Sequence, residues 1–204
     1  MNIVLINSVV LYVGTLSWFA RVKVAVGAAQ GLSFIHQRMH QAYNQFTSKC
    51  ILVDKDFNAR LSYFEVEKLS IASHPPVCEN KNLFVNENDI LDQRDGLLTD
   101  VPDEIGVGVE NEIYAFGVVL LEILTGKLYD VSQPLEMQFF IKRTTPLLTD
   151  WNNLRMVMDP VLKHEYSDSP KAFKLAQLVW MCLQPKGHDR PSMEEVLQVL
   201  YHCY

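Results

Sequence analysis

The chain has 204 residues, 49% of them hydrophobic and 21% charged, a mix that suits one globular domain with ample apolar material for a core. Its formal net charge is −6 and no long basic run occurs, which argues against nucleic-acid binding. Cys50, Cys78, Cys182 and Cys203 are scattered without a C-x-x-C pair, so neither a zinc site nor a disulfide scaffold is expected, and a reducing setting is.

The first twenty residues, MNIVLINSVVLYVGTLSWFA, carry no charged side chain. No Lys or Arg precedes the apolar run, and Asn7, Ser8, Gly14, Thr15 and Ser17 dilute it. Residues 1–14 are therefore expected to be a buried strand or hinge segment rather than a signal peptide or membrane span. From Trp18 the positions Trp18, Val22, Ala25, Ala29, Leu32 and His36 recur at spacings of four and three, one face of a helix ending between His36 and His40. His36 and His40 stand one turn apart, as zincin ligands do. Gln37 occupies the place of the catalytic Glu and no third ligand is evident, so no metal is expected.

Ile51–Val53 reads as a short apolar strand. Asp54 to Asn58 forms a turn cluster, and Ala59–Ser62 can return as the partner strand. Residues 70–110 are rich in turn formers and show no sustained period, so a long loop is expected there. In NEIYAFGVVLLEILTGK, Asn111 can cap a helix and Gly126 can stop it. The apolar residues between them surround the helix on all sides, which places it at the centre of the domain. Short helical pieces broken by Pro146 and Pro160 fill 134–164. Ser169 and Pro170 then open a helix that runs to about residue 184, and Ser192 to Glu195 is a capping box opening the last one. The fold class is mainly α with one small hairpin.

The order of W-x-x-R-x-K-V-A-x-G-A-A-x-G-L-x-F-I-H, I-L-V-D-x-D-F-N-A-R-L-S-x-F, Y-A-F-G-V-V-L-L-E-I-L-T-G, M-D-P-V-L and R-P-S-M-x-E-V resembles the large C-terminal lobe of a protein kinase, in particular of plant receptor-like and receptor-like cytoplasmic Ser/Thr kinases. The resemblance covers about residues 15–202. It implies a partial kinase domain over 15–204, with helices E, F, G, H and I. Within this sequence no Gly-rich loop, Val-Ala-x-Lys strand or helix C Glu precedes residue 15, so the small lobe is expected to be missing.

The resemblance also places the site. YNQFTSKC stands where kinases carry the catalytic loop: Tyr43 at the His, Asn44 at the Arg, Gln45 at the catalytic Asp, Thr47 at the Lys and Cys50 at the magnesium-binding Asn. Tyr63 stands at the metal-binding Asp and Glu65 at the following Gly. A neutral amide accepts no proton at pH 7, a hydroxyl supplies no positive charge, and a thiol is a poor ligand for a hard ion. The expectation is a degenerate, non-enzymatic site, with no bound ATP, magnesium or other cofactor. Asp54 and Asp56 read as turn residues, and His36 as a packed histidine rather than a base. Glu112 stands where the family carries an Asp that buttresses the catalytic loop. Arg190 matches the structural Arg of the family, and its partner would be Asp103 or Glu104 of a degraded Ala-Pro-Glu motif. The implied role is a pseudokinase-like adaptor or decoy, cytoplasmic or at the inner face of the plasma membrane, with signalling kinases or receptors as partners. Residual or complemented phosphotransfer, and a non-functional truncated gene product, are the alternatives.

Overall fold

The structure is a computed structural model that describes residues 16–39, 42–43, 46–62, 108–128, 133–162 and 169–204. Residues 1–14 and nearly all of the expected long loop lie outside these. So do His40, Asn44, Gln45, Tyr63, Glu65, Asp103 and Glu104.

Helix α1 (Trp18–Met39) opens the described chain. A single 3₁₀ turn, Ser48–Cys50, leads into β1 (Ile51–Val53), which pairs antiparallel with β2 (Ala59–Leu61) in the register Ile51–Leu61, Leu52–Arg60, Val53–Ala59. Then follow α2 (Val109–Thr125), α3 (Pro134–Thr144), a 3₁₀ turn over Thr145–Thr149, α4 (Trp151–Val157), α5 (Pro170–Cys182) and α6 (Met193–Cys203). This is the mainly helical architecture with one two-stranded sheet that a kinase-like large lobe presents.

Helix α2 is the pillar. Ile113, Phe116, Val119, Leu120, Leu121, Ile123 and Leu124 are all buried, so it is covered on nearly every side. Its main packing partner is α5, and a glycine marks the closest approach: a Cβ on Gly117 would lie 2.7 Å from the Cys182 Cβ. Helix α1 is bound by α6 on one side and by β2 on another. The hairpin lies so close to α1 that a Cβ on Gly27 would sit 3.0 Å from that of Ala59.

The helix ends follow their caps. The Ser169 hydroxyl accepts from the Lys171 N–H ahead of Pro170, and Ser192 and Glu195 form the expected capping box. Two expectations are corrected. Asn111 does not cap α2: the helix begins two residues earlier, with Gly108 at the cap, and the Asn111 side chain is turned to Arg190 instead. Pro160 does not break a helix but opens a helical turn after Asp159, a first-turn position where its missing N–H costs nothing.

Gly126 ends α2 in the left-handed conformation, at φ 69°, with its N–H donating to the Glu122 carbonyl. A Cβ there would also lie 2.1 Å from Asp159 Oδ2. Gly126→Ala is therefore expected to cost about 2 kcal/mol or more in urea denaturation, from the left-handed backbone and the displaced carboxylate together. A loss within error of zero would mean that Asp159 is free to move aside.

Candidate functional site

Three polar centres brace the described lobe, two of them buried, and the first holds the segment where the sequence places the catalytic loop. The first is at the start of α2. Glu112, almost fully buried, accepts a hydrogen bond from the backbone N–H of Tyr43, so the segment after α1 is tied to the central helix. His36, near the end of α1, brings its Nε2 to 3.1 Å from Glu112 Oε2 without a directed hydrogen bond, and among the described residues Glu112 Oε1 has no hydrogen-bond partner. His36 is thus a packed histidine at the helix end, beside the carboxylate that holds the loop. Tyr43 and Phe46 meet edge to face with ring centroids 5.6 Å apart, and Phe46 reaches Phe116 of α2 at 6.0 Å.

The second centre was not anticipated from the sequence. Arg21, 1% exposed, donates from Nε to the Leu16 carbonyl at 2.9 Å and from one terminal nitrogen to the Ile123 carbonyl at 2.7 Å. Its other terminal nitrogen meets Asp159 Oδ2 at 2.5 Å. Asp159 in turn accepts from the Val161 N–H and donates its own N–H to the Leu124 carbonyl. One guanidinium therefore joins the start of α1, the end of α2 and the segment after α4. Arg21 and Asp159 both stand inside motifs of the family resemblance. That was the available signal, but 138 residues separate them.

The third centre is Arg190. It donates to the carbonyls of Gln184 and Pro185 after α5, and to the Glu110 carbonyl and Asn111 Oδ1 in the first turn of α2. Its guanidinium carbon lies 5.0 Å from the centre of the Tyr114 ring, a cation–π contact. Burial pushes the Tyr114 hydroxyl above its ordinary range, so the ring faces the cation as neutral phenol at pH 7. The carboxylates expected to meet Arg190, Asp103 and Glu104, lie outside the described residues.

Of the five replaced positions, Thr47 and Cys50 are described. Thr47 precedes the 3₁₀ turn, and its Oγ1 lies 3.7 Å from Cys50 Sγ. Cys50 leads directly into β1, and its carbonyl accepts from the Ser62 N–H at 2.8 Å, so the hairpin fixes its backbone from both strands. The soft thiol of Cys50 does not match the oxygen-rich shell that magnesium takes, and the Thr47 hydroxyl supplies no positive charge. Among the described residues no group of three or more His, Cys, Asp or Glu is placed to hold a metal ion, and no helix is long and apolar enough to cross a membrane. Cys182 and Cys203 are buried, and burial pushes their thiols up to about 12 and about 11.

The hairpin turn is built by Asp54. Its carboxylate accepts from the backbone N–H groups of Asp56 and Asn58 and from the Asn58 side-chain amide, all at 2.8–2.9 Å. The Asn58 side-chain bond, then the backbone bonds, hold its pKa below the usual carboxylate range. A depressed folded value means that the contribution is complete above the unfolded carboxylate pKa of about 3.9 and is lost as pH falls through the folded value. Amide exchange at Phe57 and Asn58 is expected to accelerate in that acid window in the native chain but not in Asp54→Asn. Equal acid sensitivity in both would assign the effect elsewhere.

Comparison with known proteins identifies the scaffold. No protein-family model matches the chain. It is 33% identical over 190 residues to the probable serine/threonine-protein kinase PBL11 of Arabidopsis thaliana, covering 91% of this chain and 46% of that protein. It is 32% identical over 194 residues to the EPD1-interacting receptor-like cytoplasmic serine/threonine-protein kinase of Nicotiana benthamiana, covering 93% and 39%. The chain is a homologue of the plant receptor-like cytoplasmic kinases. It spans about half or less of the length of these relatives. The inactive serine/threonine-protein kinase BKN2 of Arabidopsis thaliana is also similar, 31% identical over 191 residues, covering 91% of the chain and 52% of that protein.

This overturns the expectation that the chain is not an enzyme. That expectation rested on the side chains at Gln45, Thr47, Cys50, Tyr63 and Glu65. Relatives matching more than nine-tenths of the chain are named as serine/threonine-protein kinases, and a loss of catalytic residues is not shown by the comparisons. Phosphoryl transfer depends on positioning and field rather than on one obligatory covalent group, so a substitution read against a motif is not a measured loss of activity. Gln45, Tyr63 and Glu65 also lie outside the described residues.

Proposed function

We propose that this kinase-family chain works as a protein-interaction module in receptor-proximal signalling, with receptors or signalling kinases as partners, in the cytoplasm or at the inner face of the plasma membrane. The observation that carries this reading is the internal bracing of the lobe. Arg21, Glu112 and Arg190 each join distant elements, and α6 and the hairpin are held on α1 by the Trp18 Nε1 bond to the Cys203 carbonyl and by the close approach of Gly27 and Ala59, so these surfaces keep fixed mutual positions. Docking surfaces need such pre-organisation because each mobile side chain or loop ordered on binding subtracts from affinity. The Nicotiana benthamiana relative is named for a protein with which it interacts, which supports the same reading here.

A second reading, ATP-dependent phosphotransfer to serine or threonine with magnesium, is favoured by the names of the relatives. The deciding experiment is affinity purification of the tagged full chain from plant cells, followed by reconstitution with each purified candidate, with and without ATP and magnesium. Binding by a reconstituted signalling partner without nucleotide supports the interaction reading. Candidates that all fail to bind the purified chain would overturn it.

A further inference from the structure

We infer that His36 and Glu112 form a proton-operated latch on the segment that follows α1. With a proton on the His36 ring the pair holds Tyr43 to the start of α2, and with that proton gone the hold weakens. The latch is independent of the interaction reading, because it acts on the loop and not on a docking surface.

The Glu112 carboxylate is buried in the first turn of α2 and meets two groups through one oxygen. Oε2 accepts from the Tyr43 N–H and faces His36 Nε2, while Oε1 has no hydrogen-bond partner among the described residues. A carboxylate that stays ionised in a dry site needs several donors or a counter-charge, and one backbone N–H is not enough. The His36 ring is placed to make up the difference, with its side chain 10% exposed and Nε2 at 3.1 Å from Oε2. Two lone pairs at that distance repel, so a proton belongs between the nitrogen and the oxygen. A neutral ring can bring one, but the approach is off the line of a good hydrogen bond, where a neutral N–H gains little. The attraction between an imidazolium and a carboxylate depends on distance and survives the misalignment. The arrangement therefore suits the charged ring.

Among the described residues, the other charged groups on the surrounding elements are engaged elsewhere or turned to solvent. On α1, Arg38 is exposed, and Gln37 donates to the exposed Glu194 of α6. On α2, Glu110 is exposed, and Arg190 is spent on backbone carbonyls, Asn111 and the Tyr114 ring. After α5, His188 pairs with Asp189 at the surface, and on the loop side Lys49 is exposed. Among the described residues no lysine or arginine is in an ion pair with Glu112, so His36 is its titratable counter-ion. Imidazoles gain and lose their proton between about pH 5 and 8. A proton that favours the closed latch strengthens it on the acid side, and the hold is lost as pH rises through that range. Tyr43 packs edge to face on Phe46, one residue before Thr47, so the latch governs the approach to Thr47 and Cys50.

The test is amide hydrogen exchange at Tyr43, followed by nuclear magnetic resonance in the full chain at about pH 5.5 and about pH 8, on either side of the imidazole midpoint. Rates are corrected for the intrinsic pH dependence of exchange, and the α5 amides serve as internal reference. Tyr43 protection is expected to be about tenfold or more greater at the lower pH, with the α5 amides unchanged. Glu112→Gln keeps an acceptor but no charge, and should protect Tyr43 equally at both pH values. His36→Gln cannot take up the proton, and should show at both values the weaker protection that the native chain has at the higher one. Circular dichroism checks that each variant folds, and the native comparison of Tyr43 with α5 decides even where a variant does not. Equal protection of native Tyr43 at the two pH values would overturn the inference. So would a parallel fall at the α5 amides, which would make the effect global, or a pH dependence that persists in His36→Gln, which would assign it to another group.

Discussion

Arg21→Ala is expected to lower the unfolding free energy by about 3–5 kcal/mol, the largest single-residue effect in the described chain. The side chain is buried and every one of its bonds goes to a buried acceptor: Leu16 and Ile123 carbonyls and Asp159 Oδ2. Truncation leaves the Asp159 carboxylate without its counter-ion in a dry site and strands the carbonyl at the end of α2. Removing one partner of such a pair costs far more than the pair contributes, because the remaining charge keeps its full desolvation penalty. Arg21→Lys is expected to recover little of the loss. A single ammonium cannot reach three acceptors that the planar guanidinium fork meets in different directions. Urea denaturation followed by circular dichroism measures both variants, and a loss below about 1 kcal/mol for Arg21→Ala would show that water enters to solvate Asp159.

Glu112→Ala is expected to cost about 2–3 kcal/mol and to loosen the loop more than the rest of the fold. The buried Tyr43 N–H loses its acceptor, and the Ala side chain leaves a hole beside His36. Global stability alone does not separate this from ordinary core damage, so the telling measurement is hydrogen exchange at the Tyr43 amide. Exchange there should rise well beyond that of the α5 amides. Glu112→Gln retains an acceptor oxygen of the same reach and should keep Tyr43 protected. If the Gln variant loses protection as fully as the Ala variant, the carboxylate charge rather than the hydrogen bond holds the loop.

How much of this was legible in the sequence depends on whether the signal was local. Helices α5 and α6 announced themselves through Ser169-Pro170 and Ser192-Glu195, because a cap is a bond between residues two or three apart. The hairpin was legible for the same reason, since Asp54 and Asn58 close the turn through their own side chains. The start of α2 was misplaced because Asn111 looked like a cap, and only the arrival of Arg190, 79 positions later, explains why its side chain is engaged elsewhere. The Arg21–Asp159 pair was invisible to periodicity. A charged residue on an apolar helix stripe gives no hint of which distant carboxylate will neutralise it.

The site showed the same division. The loop anchor at Glu112 was placed by resemblance, and the geometry brings it to Tyr43. The enzymatic reading was misjudged from side-chain identities alone, and comparison with named kinases corrected it.

The cysteines turn the fold into its own chemical gauge. Cys182 and Cys203 are buried with thiols pushed to about 12 and about 11, so at neutral pH they carry almost no thiolate and meet no reagent until the helices around them part. Cys50, half-buried at the mouth of β1, sits at the end of the very segment that Glu112 tethers. Alkylation rates resolved by peptide mapping would thus keep two clocks in one molecule. The two buried thiols time the opening of the helical core, and Cys50 times the release of the loop.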